Sequence, residues 1–320
     1  MKSEEIKYAP LVSIVIPVYN GANFMGEAID SALAQTDDNY EIIVVNDGSN
    51  DDDKTEEIAL SYGDRIRYIA KPNGGVSSAL NVAIQNMKGE WLSWLSHDDK
   101  YKPNKLETQV KKLNELKEQG EDLDKICLYA ASERINVNGT FISRKHFNIK
   151  NEASPIDTLI SNIRAYSIGG CSVLMSKNVL DTVGGFDENI RTVSDADLWF
   201  RMMLNGVRFI YDDVVIVQSR QHKQQVGNRS MSLFEKEHAA LMEKFTLRLL
   251  EENISVDQKY RLLESLVLNG HDASATLVKQ SISENGESSL WGDLKVSTII
   301  KLRRDVFFAA RKLYRSLTLR

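Results

Sequence analysis

Two adjacent carboxylates, Asp98 and Asp99, follow an apolar run after Ser96 and His97, and they precede Pro103, which opens a predicted helix. The apolar run, residues 91–95, is typical of a buried strand, and the carboxyl end of such a strand is where an α/β sheet opens its ligand crevice. Two hard oxygen donors at that point suit a divalent cation that carries phosphate oxygens. An isolated Asp-Asp pair also serves as a turn or helix cap, so a role in chemistry requires support from other parts of the chain.

The elements that must position this pair alternate between strand and helix over the first hundred residues. Continuous runs rich in β-branched residues predict strands buried on both faces, and apolar residues spaced four apart predict helices that lie on a sheet. The predicted strands are 11–19, 41–45, 66–69 and 91–95, and the predicted helices are 24–35, 53–62 and 76–87. The short connections indicate an α/β fold with a doubly wound, mostly parallel sheet and helices on both faces.

Polar residues follow each of the four predicted strands. They are Tyr19-Asn20, Asn46-Asp47, Lys71-Pro72-Asn73 and His97-Asp98-Asp99. Because the carboxyl ends of parallel strands meet at one edge of a sheet, we expect these side chains to gather there, and their concentration favours a ligand site.

The second half of the chain is less regular in pattern. It predicts strands at 126–131 and 172–175, a hairpin turn at 138–140, a helix at 195–205, extended chain at 207–217, and helices from 232 onward. The final segment, 295–320, holds eight Lys or Arg residues and one acid, Asp305. As a basic amphipathic helix it can lie on an anionic membrane surface. A helix packed on the domain with a solvated basic face is the alternative.

Composition excludes several classes of protein. The formal net charge of −5 lacks the basic surplus of a nucleic-acid-binding chain, so no nucleic acid is expected as a partner. Cys127 and Cys171 have no CxxC spacing, which predicts two reduced core residues. No apolar run of about 18 residues occurs, and the charged N-terminus does not read as a signal peptide. We therefore expect a cytoplasmic protein.

Several motifs, in order and with characteristic spacing, resemble those of glycosyltransferase family 2. They are residues 13–20 (SIVIPVYN), 40–49 (YEIIVVNDGS), 73–81 (NGGVSSALN), 97–99 (HDD) with Pro103, 184–188 (GGFDE), 194–201 (SDADLWFR) and 220–222 (RQH). The resemblance covers roughly residues 10 to 228. It implies the GT-A fold and transfer of a sugar from a nucleotide diphosphate with inversion.

The resemblance implies a nucleotide site at the ends of the first two strands. It places Asp47 where a carboxylate accepts a hydrogen bond from the base imide, a contact that favours uracil or thymine and hence a UDP-sugar. Tyr19 would stack on the base, Pro17 would shape the loop beneath it, and Asn20 would belong to the same nucleotide-binding set.

Two further residues belong to this donor site. Lys71 would add positive charge near the nucleotide, with a solvated loop lysine as the alternative. Asn81 would hydrogen-bond the donor or the neighbouring loop, and Gly74 and Gly75 would let the backbone approach closely.

For the metal, the resemblance implies Mg²⁺ or Mn²⁺ held by Asp98 and Asp99 as a Lewis acid for the diphosphate. His222 falls where some relatives place a further metal or diphosphate contact, and a structural histidine is the alternative. The family's acidic motif usually carries another Asp where this chain has Ser96. Asp98 or Asp99 must therefore serve both ribose and metal, and the sequence leaves open which.

Inversion requires a carboxylate that deprotonates the acceptor hydroxyl. Asp195 matches the family's base position at the start of a predicted helix, and a helix cap is the alternative. Family members usually show Glu-Asp here, whereas this chain has Ser194-Asp195. Asp197 would point away from the acceptor if the segment is helical.

These observations predict a hexosyl- or N-acetylhexosaminyltransferase that uses a UDP-sugar and a saccharide or lipid-linked acceptor in cell-surface polysaccharide synthesis. We expect a GT-A domain over 1–230, with a nucleotide-binding half at about 10–100 and an acceptor half at about 101–230. Residues 231–320 would form a helical region that contacts the inner membrane face peripherally through 295–320. The alternatives are a weak or inactive nucleotide-binding module and a membrane-docking binding protein. Dehydrogenases and P-loop hydrolases are excluded because their glycine motifs are absent.

Overall fold

The computed structural model of the chain describes residues 8–145, 154–165, 168–222 and 231–287, together with 297, 298 and 306. The strands are β1 (Val12–Val18), β2 (Tyr40–Asn46), β3 (Arg67–Ala70), β4 (Trp91–Trp94), β5 (Lys100–Tyr101), β6 (Ile126–Ile135), β7 (Phe141–Lys145), β8 (Leu174–Ser176) and β9 (Arg208–Arg220). The α-helices are α1 (Met25–Leu33), α2 (Lys54–Leu60), α3 (Val76–Asn86), α4 (Lys105–Glu118), α5 (Pro155–Ala165), α6 (Lys177–Val183), α7 (Ser194–Leu204), α8 (Met231–Glu251), α9 (Val256–Asn269) and α10 (Asp272–Glu284).

The described strands form one sheet in the order β3-β2-β1-β4-β8-β6-β9-β5, and β7 pairs with β6. β1 to β4 pair in parallel, with Ile14 opposite Ile42 on one side and Ser93 on the other, which confirms the doubly wound arrangement. β8 runs antiparallel to β4 and β6, and β9 runs parallel to β6. Since β2 and β4 lie on opposite sides of β1, the crevice of the sheet opens beyond the ends of β1 and β4.

A buried apolar core holds the central strands, whose carboxyl ends bear the polar residues predicted to form a site. Ile14, Ile16 and Val44 are buried together with Met25 and Ile29 of α1, as the apolar runs predict. Burying one large aliphatic side chain contributes about 1.5–3 kcal/mol. The central strands therefore form a firm base for the loops at their carboxyl ends.

The strand predicted at 172–175 differs in the structure. Gly170–Ser172 is a 3-10 turn, and β8 begins only at Leu174. The Ser172 N–H closes the turn on the Gly169 carbonyl at 3.0 Å. Gly170 lies against the Trp94 indole, where a Cβ would not fit. The predicted turn at 138–140 does join β6 to β7 as an antiparallel hairpin.

The chain divides into two compact units, one built from Met1–Pro155 and Ile168–Phe234 and the other from Ile156–Ser167 and Glu235–Arg320. The sequence assigned 156–167 to the first domain, whereas the structure groups it with the C-terminal helices. One reason is that Asp157 of α5 accepts a hydrogen bond from Arg261 of α9 at 2.7 Å.

The second unit is helical where the structure describes it. α9 begins with a reciprocal capping box between Ser255 and Gln258 and ends at Gly270 in the left-handed conformation. Within the described ranges, no helix has the length and apolar character needed to cross a membrane. The predicted basic helix at 295–320 lies outside the described residues except at positions 297, 298 and 306.

Candidate functional site

Asp98 and His222 form a close pair at the edge of the sheet where the crevice opens. Asp98 follows β4 and His222 follows β9, and Asp98 Oδ2 lies 2.9 Å from His222 Nε2. The imidazole packs near the Phe24 ring, with the two centroids 5.2 Å apart. The Asp98 side chain keeps 14% of its surface exposed, so a ligand can reach it.

Asp99 is buried next to this pair. Its Oδ1 accepts a hydrogen bond from the Arg220 backbone N–H at 2.8 Å, and the Cys171 and Ser219 side chains also bond to the carboxylate. Burial, and then the neighbouring Asp98 charge, raise the pKa of Asp99 to about 7. The two carboxylates therefore occupy different environments, and Asp98 is the more accessible of them.

Arg220 connects these groups, and the sequence analysis gave it no role. Its Nε donates to the Asp98 carbonyl at 3.0 Å, its Nη1 to the Val137 carbonyl at 2.7 Å, and its Nη2 to Glu27 Oε2 at 2.9 Å. The guanidinium is fully buried. A cation at the end of a strand on the crevice edge, two residues before His222, is the sequence signal that could have pointed to it.

Ser96 occupies the position where the family pattern has a further carboxylate. Its N–H donates to Cys171 Sγ at 3.2 Å, and the thiol donates to Ser96 Oγ at 3.3 Å. Burial raises the pKa of the Cys171 thiol, so this contact is neutral. Both Cys171 and Cys127 are free and buried, as predicted.

Asp47 closes a loop at the end of β2. Its Oδ1 accepts hydrogen bonds from Lys71 Nζ at 2.7 Å and from the Gly74 N–H at 2.9 Å, and its Oδ2 accepts one from the Gly75 N–H at 2.7 Å. The structure thus brings the predicted residues Asp47 and Lys71 into direct contact. Lys71 is tied to the loop and is not a freely solvated lysine.

Tyr19 and Asn20 lie at the end of β1. Asn20 Nδ2 donates to Asn50 Oδ1 at 2.8 Å, and the Asn50 N–H donates to Asn20 Oδ1 at 2.8 Å. The Tyr19 ring is 43% exposed, which leaves it accessible to a stacking partner. Pro17 connects this region with the acidic motif, because its carbonyl is hydrogen-bonded to His97, and burial lowers the pKa of His97.

Asn81 binds the chain between α6 and α7. Its Oδ1 accepts from the Phe186 N–H, and its Nδ2 donates to the Phe186 carbonyl and to Glu188 Oε1, each at 2.9 Å. Gly185 lies so close to this amide that a Cβ would collide with Asn81 Oδ1. Of the two roles the sequence left open, the structure shows Asn81, which lies on α3, hydrogen-bonded to the loop between α6 and α7, and its contact with a donor stays a prediction.

Asp195 and Asp197 both lie in the first turn of α7 but differ in their surroundings. Asp197 is buried and pairs with Arg201 Nε at 2.8 Å, and Arg201 also binds the carbonyls of Val183 and Gly185 at 2.7 Å. Asp195 is half-buried, and its Oδ1 accepts from the Ala196 N–H at 2.8 Å. Asp197 therefore has a structural role, and Asp195 is the more accessible of the two acids.

Within the described part of the chain, the crevice edge offers few side-chain donors for a metal ion. Among the described residues, no three or more His, Cys, Asp or Glu side chains converge as a metal-binding group. Mg²⁺ often takes only one or two protein ligands and completes its shell with phosphate oxygens and water. Asp98 Oδ2 and His222 Nε2 are hydrogen-bonded to each other at 2.9 Å, a separation close to the roughly 3 Å between neighbouring ligands of an octahedral ion. The pair fits an ion completed by substrate oxygens.

Comparison with known proteins identifies the family. The model described as Glycosyl transferase family 2 matches residues 13–171. An uncharacterized glycosyltransferase of Rickettsia typhi is 45% identical over 248 residues, which cover 77% of this chain and 75% of the relative. The chain belongs to glycosyl transferase family 2. The match to the family 2 model includes Asp47, Lys71, Asp98 and Asp99, whereas Asp195 and His222 lie beyond its end.

Two other family relatives are much longer than this chain. An uncharacterized glycosyltransferase of Rickettsia bellii is 40% identical over 294 residues, which are 92% of this chain and 42% of the relative. A chondroitin synthase of Pasteurella multocida is 28% identical over 269 residues, 83% of this chain and 26% of the synthase. The chain therefore spans less than half the length of each of these two proteins.

Solved structures share the GT-A fold. TarS 1–349 of S. aureus in complex with UDP-GlcNAc superposes with a TM-score of 0.62 at 19% identity, over 80% of this chain and 71% of that one. The Pyrobaculum calidifontis mannosyltransferase PcManGT, in complex with GDP-Man and Mn²⁺, gives a TM-score of 0.56 at 16% identity, over 98% and 84%. The GT-A prediction for this family 2 chain is confirmed.

Proposed function

We propose that the chain is an inverting glycosyltransferase that moves a hexosyl or N-acetylhexosaminyl group from a UDP-sugar to a saccharide or lipid-linked acceptor of cell-surface polysaccharide. The observation that carries the proposal is the Asp98–His222 pair, which lies at the crevice edge of a family 2 fold. The neighbour solved with UDP-GlcNAc and the relative named chondroitin synthase support a UDP-linked donor and a saccharide acceptor.

Asp98 and His222 would hold a divalent cation, Mg²⁺ or Mn²⁺. When bound there, the ion acts as a Lewis acid that offsets the charge of the leaving diphosphate. Asp98 suits this role better than Asp99 because its carboxylate is partly exposed. The buried Asp99 side chain accepts a hydrogen bond from the Arg220 N–H at 2.8 Å and would stabilise the turn that carries Asp98.

Asp47 would recognise the nucleobase through a hydrogen bond. A carboxylate offers about four acceptor positions, and the contacts described above use two on Oδ1 and one on Oδ2. Oδ2 thus has one acceptor position left, which the ring N–H of uracil between its two carbonyls would match; the Asp47 side chain is 3% exposed, so the base would have to enter beside the loop that covers it. Tyr19, with its exposed ring, would stack on the base.

Asp195 would act as the general base. It would take the proton of the acceptor hydroxyl as that oxygen attacks the anomeric carbon from the face opposite the diphosphate. Two observations support this assignment. Asp195 is half-buried, and the other acid of this turn, Asp197, is paired with Arg201.

Calorimetric titration of the full chain with UDP tests the donor and metal assignments together. We expect binding with MnCl₂ that weakens about 10- to 100-fold in EDTA or in Asp98→Asn, because the ion bridges the protein and the diphosphate. Asp181→Asn is the matched control, since Asp181 pairs with Lys177 at 2.7 Å on the surface of α6. Equal UDP affinity with and without metal would contradict the metal site, and preference for GDP would contradict the Asp47 assignment.

A further inference from the structure

The segment 186–191, between α6 and α7, is bonded along one face of α3, and we call it the latch. Asn81 holds its first residues, as described above. One helical turn earlier, Ser77 Oγ donates to a backbone carbonyl of the latch at 3.2 Å. At its far end, Arg191 Nη1 donates to the Gly74 carbonyl at 2.7 Å. Ser77 and Asn81 are four residues apart on one face of α3, and Gly74 lies in the turn just before that helix begins.

The hydrogen bond between Arg191 and Gly74 connects the loop at the proposed base-binding carboxylate with the chain segment that precedes the proposed general base. Gly74 donates its N–H to Asp47, the proposed base-reading carboxylate, at 2.9 Å. Arg191 stands four residues before Asp195, the proposed general base. One hydrogen bond therefore joins the loop closed on the nucleotide pocket to the chain that carries Asp195.

Backbone geometry shows that this contact is close and specific. Gly75 has φ +90°, a conformation that glycine adopts readily, and a Cβ there would collide with Arg191 Nη1. The Arg191 residue is nevertheless exposed overall. The guanidinium therefore contacts the Gly74–Gly75 backbone on its solvent-facing side. A movement of that backbone would displace the guanidinium directly.

We propose that Arg191 is a positioning residue that couples occupation of the nucleotide pocket to the placement of Asp195. The inference rests on the proposed function. A nucleobase that bonds to Asp47 shares that carboxylate with the Gly74 and Gly75 amides, so it reorients the peptide units on which Arg191 lies. Arg191 transmits this change through residues 192–193 to the first turn of α7.

Kinetics of three variants in the full chain tests the coupling. With Mn²⁺ and a UDP-sugar, we expect Arg191→Ala to lower kcat about 10- to 100-fold, while KM for the donor and UDP affinity change less than about threefold. Arg191→Lys should recover most of kcat, because an ammonium can donate to the same carbonyl. Arg208→Ala should match the unmodified chain, since Arg208 pairs with Glu121 at 2.7 Å at the opposite end of β9 from His222.

Hydrogen exchange on the unmodified chain gives a second test that does not depend on the variants folding. UDP with Mn²⁺ should slow amide exchange in residues 186–195, and this response should be lost in Arg191→Ala. Arg191→Ala with unchanged kcat, or UDP binding without any exchange response in 186–195, would overturn the coupling while leaving the proposed function standing. Failure of the unmodified chain to bind UDP would remove both.

Discussion

Arg220 gives the two carboxylates of the site their different environments. Its backbone N–H binds the Asp99 side chain and its Nε binds the Asp98 carbonyl, while Glu27 balances the guanidinium charge. A buried charge that is paired and hydrogen-bonded in this way is costly to leave without a partner. The guanidinium therefore fixes the turn in which Asp98 faces the crevice and Asp99 faces the interior.

His222 provides the residue-scale prediction. Replacing it with Ala should weaken Mn²⁺-dependent UDP binding about 10- to 100-fold, because one of the two proposed protein ligands to the ion would be lost. The folded state should persist, since Asp98 keeps its backbone contact with Arg220. Titration of UDP at several Mn²⁺ concentrations measures the change, with the exposed neighbour variant Gln221→Ala as control. Unaltered Mn²⁺ dependence in His222→Ala would show that the imidazole is structural.

Sequence reasoning at this scale selected Asp47, Lys71 and Asp98 from their types and strand-end positions, and His222 from the family resemblance. Asp47, Lys71, Asp98 and His222 all follow strands, and the structure pairs Asp47 with Lys71 and Asp98 with His222. Glu27 could not be found this way, because it reads as a solvent-facing acid of an amphipathic helix. Its contact with Arg220 joins residues 193 apart, and no local pattern encodes such a contact.

Among the elements, α4 carries a buried lysine that links three parts of the first unit. Lys105 Nζ donates to Ser93 Oγ of β4 at 2.8 Å and to Gln109 Oε1 of α4 at 2.7 Å, and more distantly to the Val173 carbonyl at 3.4 Å. Burial lowers the pKa of Lys105 to about 7. This burial could not be predicted from the sequence, because a lysine in the first turn of a helix usually extends into solvent.

This burial makes the free energy of unfolding depend on pH. Between about pH 7 and 10 the unfolded chain binds a proton at Lys105 that the folded chain does not, so stability should rise with pH by up to about 1.4 kcal/mol per unit. Lys105→Met should lack this contribution. Urea unfolding of both proteins from pH 6 to 9 measures it, with Lys111→Met on the exposed side of α4 as control. Parallel curves for the unmodified chain and Lys105→Met would show that the amine is charged in the folded state.

The central elements were predictable for a physical reason. Runs such as 11–19 and 41–45 lack polar alternation, so only strands covered on both faces can accommodate them. The 3-10 turn at Gly170–Ser172 and the grouping of α5 with the C-terminal helices were not predictable. Both depend on tertiary contacts, of Gly170 with Trp94 and of Asp157 with Arg261.

At the scale of the whole molecule, the basic segment 295–320 remains a sequence prediction of peripheral contact with an anionic membrane. Each basic residue near such a surface contributes about 1 kcal/mol to binding. Replacing its eight Lys and Arg residues with Gln should abolish cosedimentation with phosphatidylglycerol vesicles and leave UDP binding unchanged. Phosphatidylcholine vesicles serve as the control. Undiminished sedimentation of the Gln variant would place membrane contact elsewhere, and no sedimentation of the unmodified chain would exclude it.

Turnover of UDP-sugars by the full chain is the direct test of the proposed glycosyl transfer. A panel of UDP-sugars would be incubated with MnCl₂ or EDTA, and released UDP would be measured for the unmodified chain, Asp195→Asn and the surface control Asp181→Asn. The account predicts Mn²⁺-dependent turnover of at least one UDP-sugar, with UDP still bound but turnover reduced about 10²- to 10⁴-fold in Asp195→Asn. Turnover of another nucleotide sugar but of no UDP-sugar, or full turnover by Asp195→Asn, would contradict it.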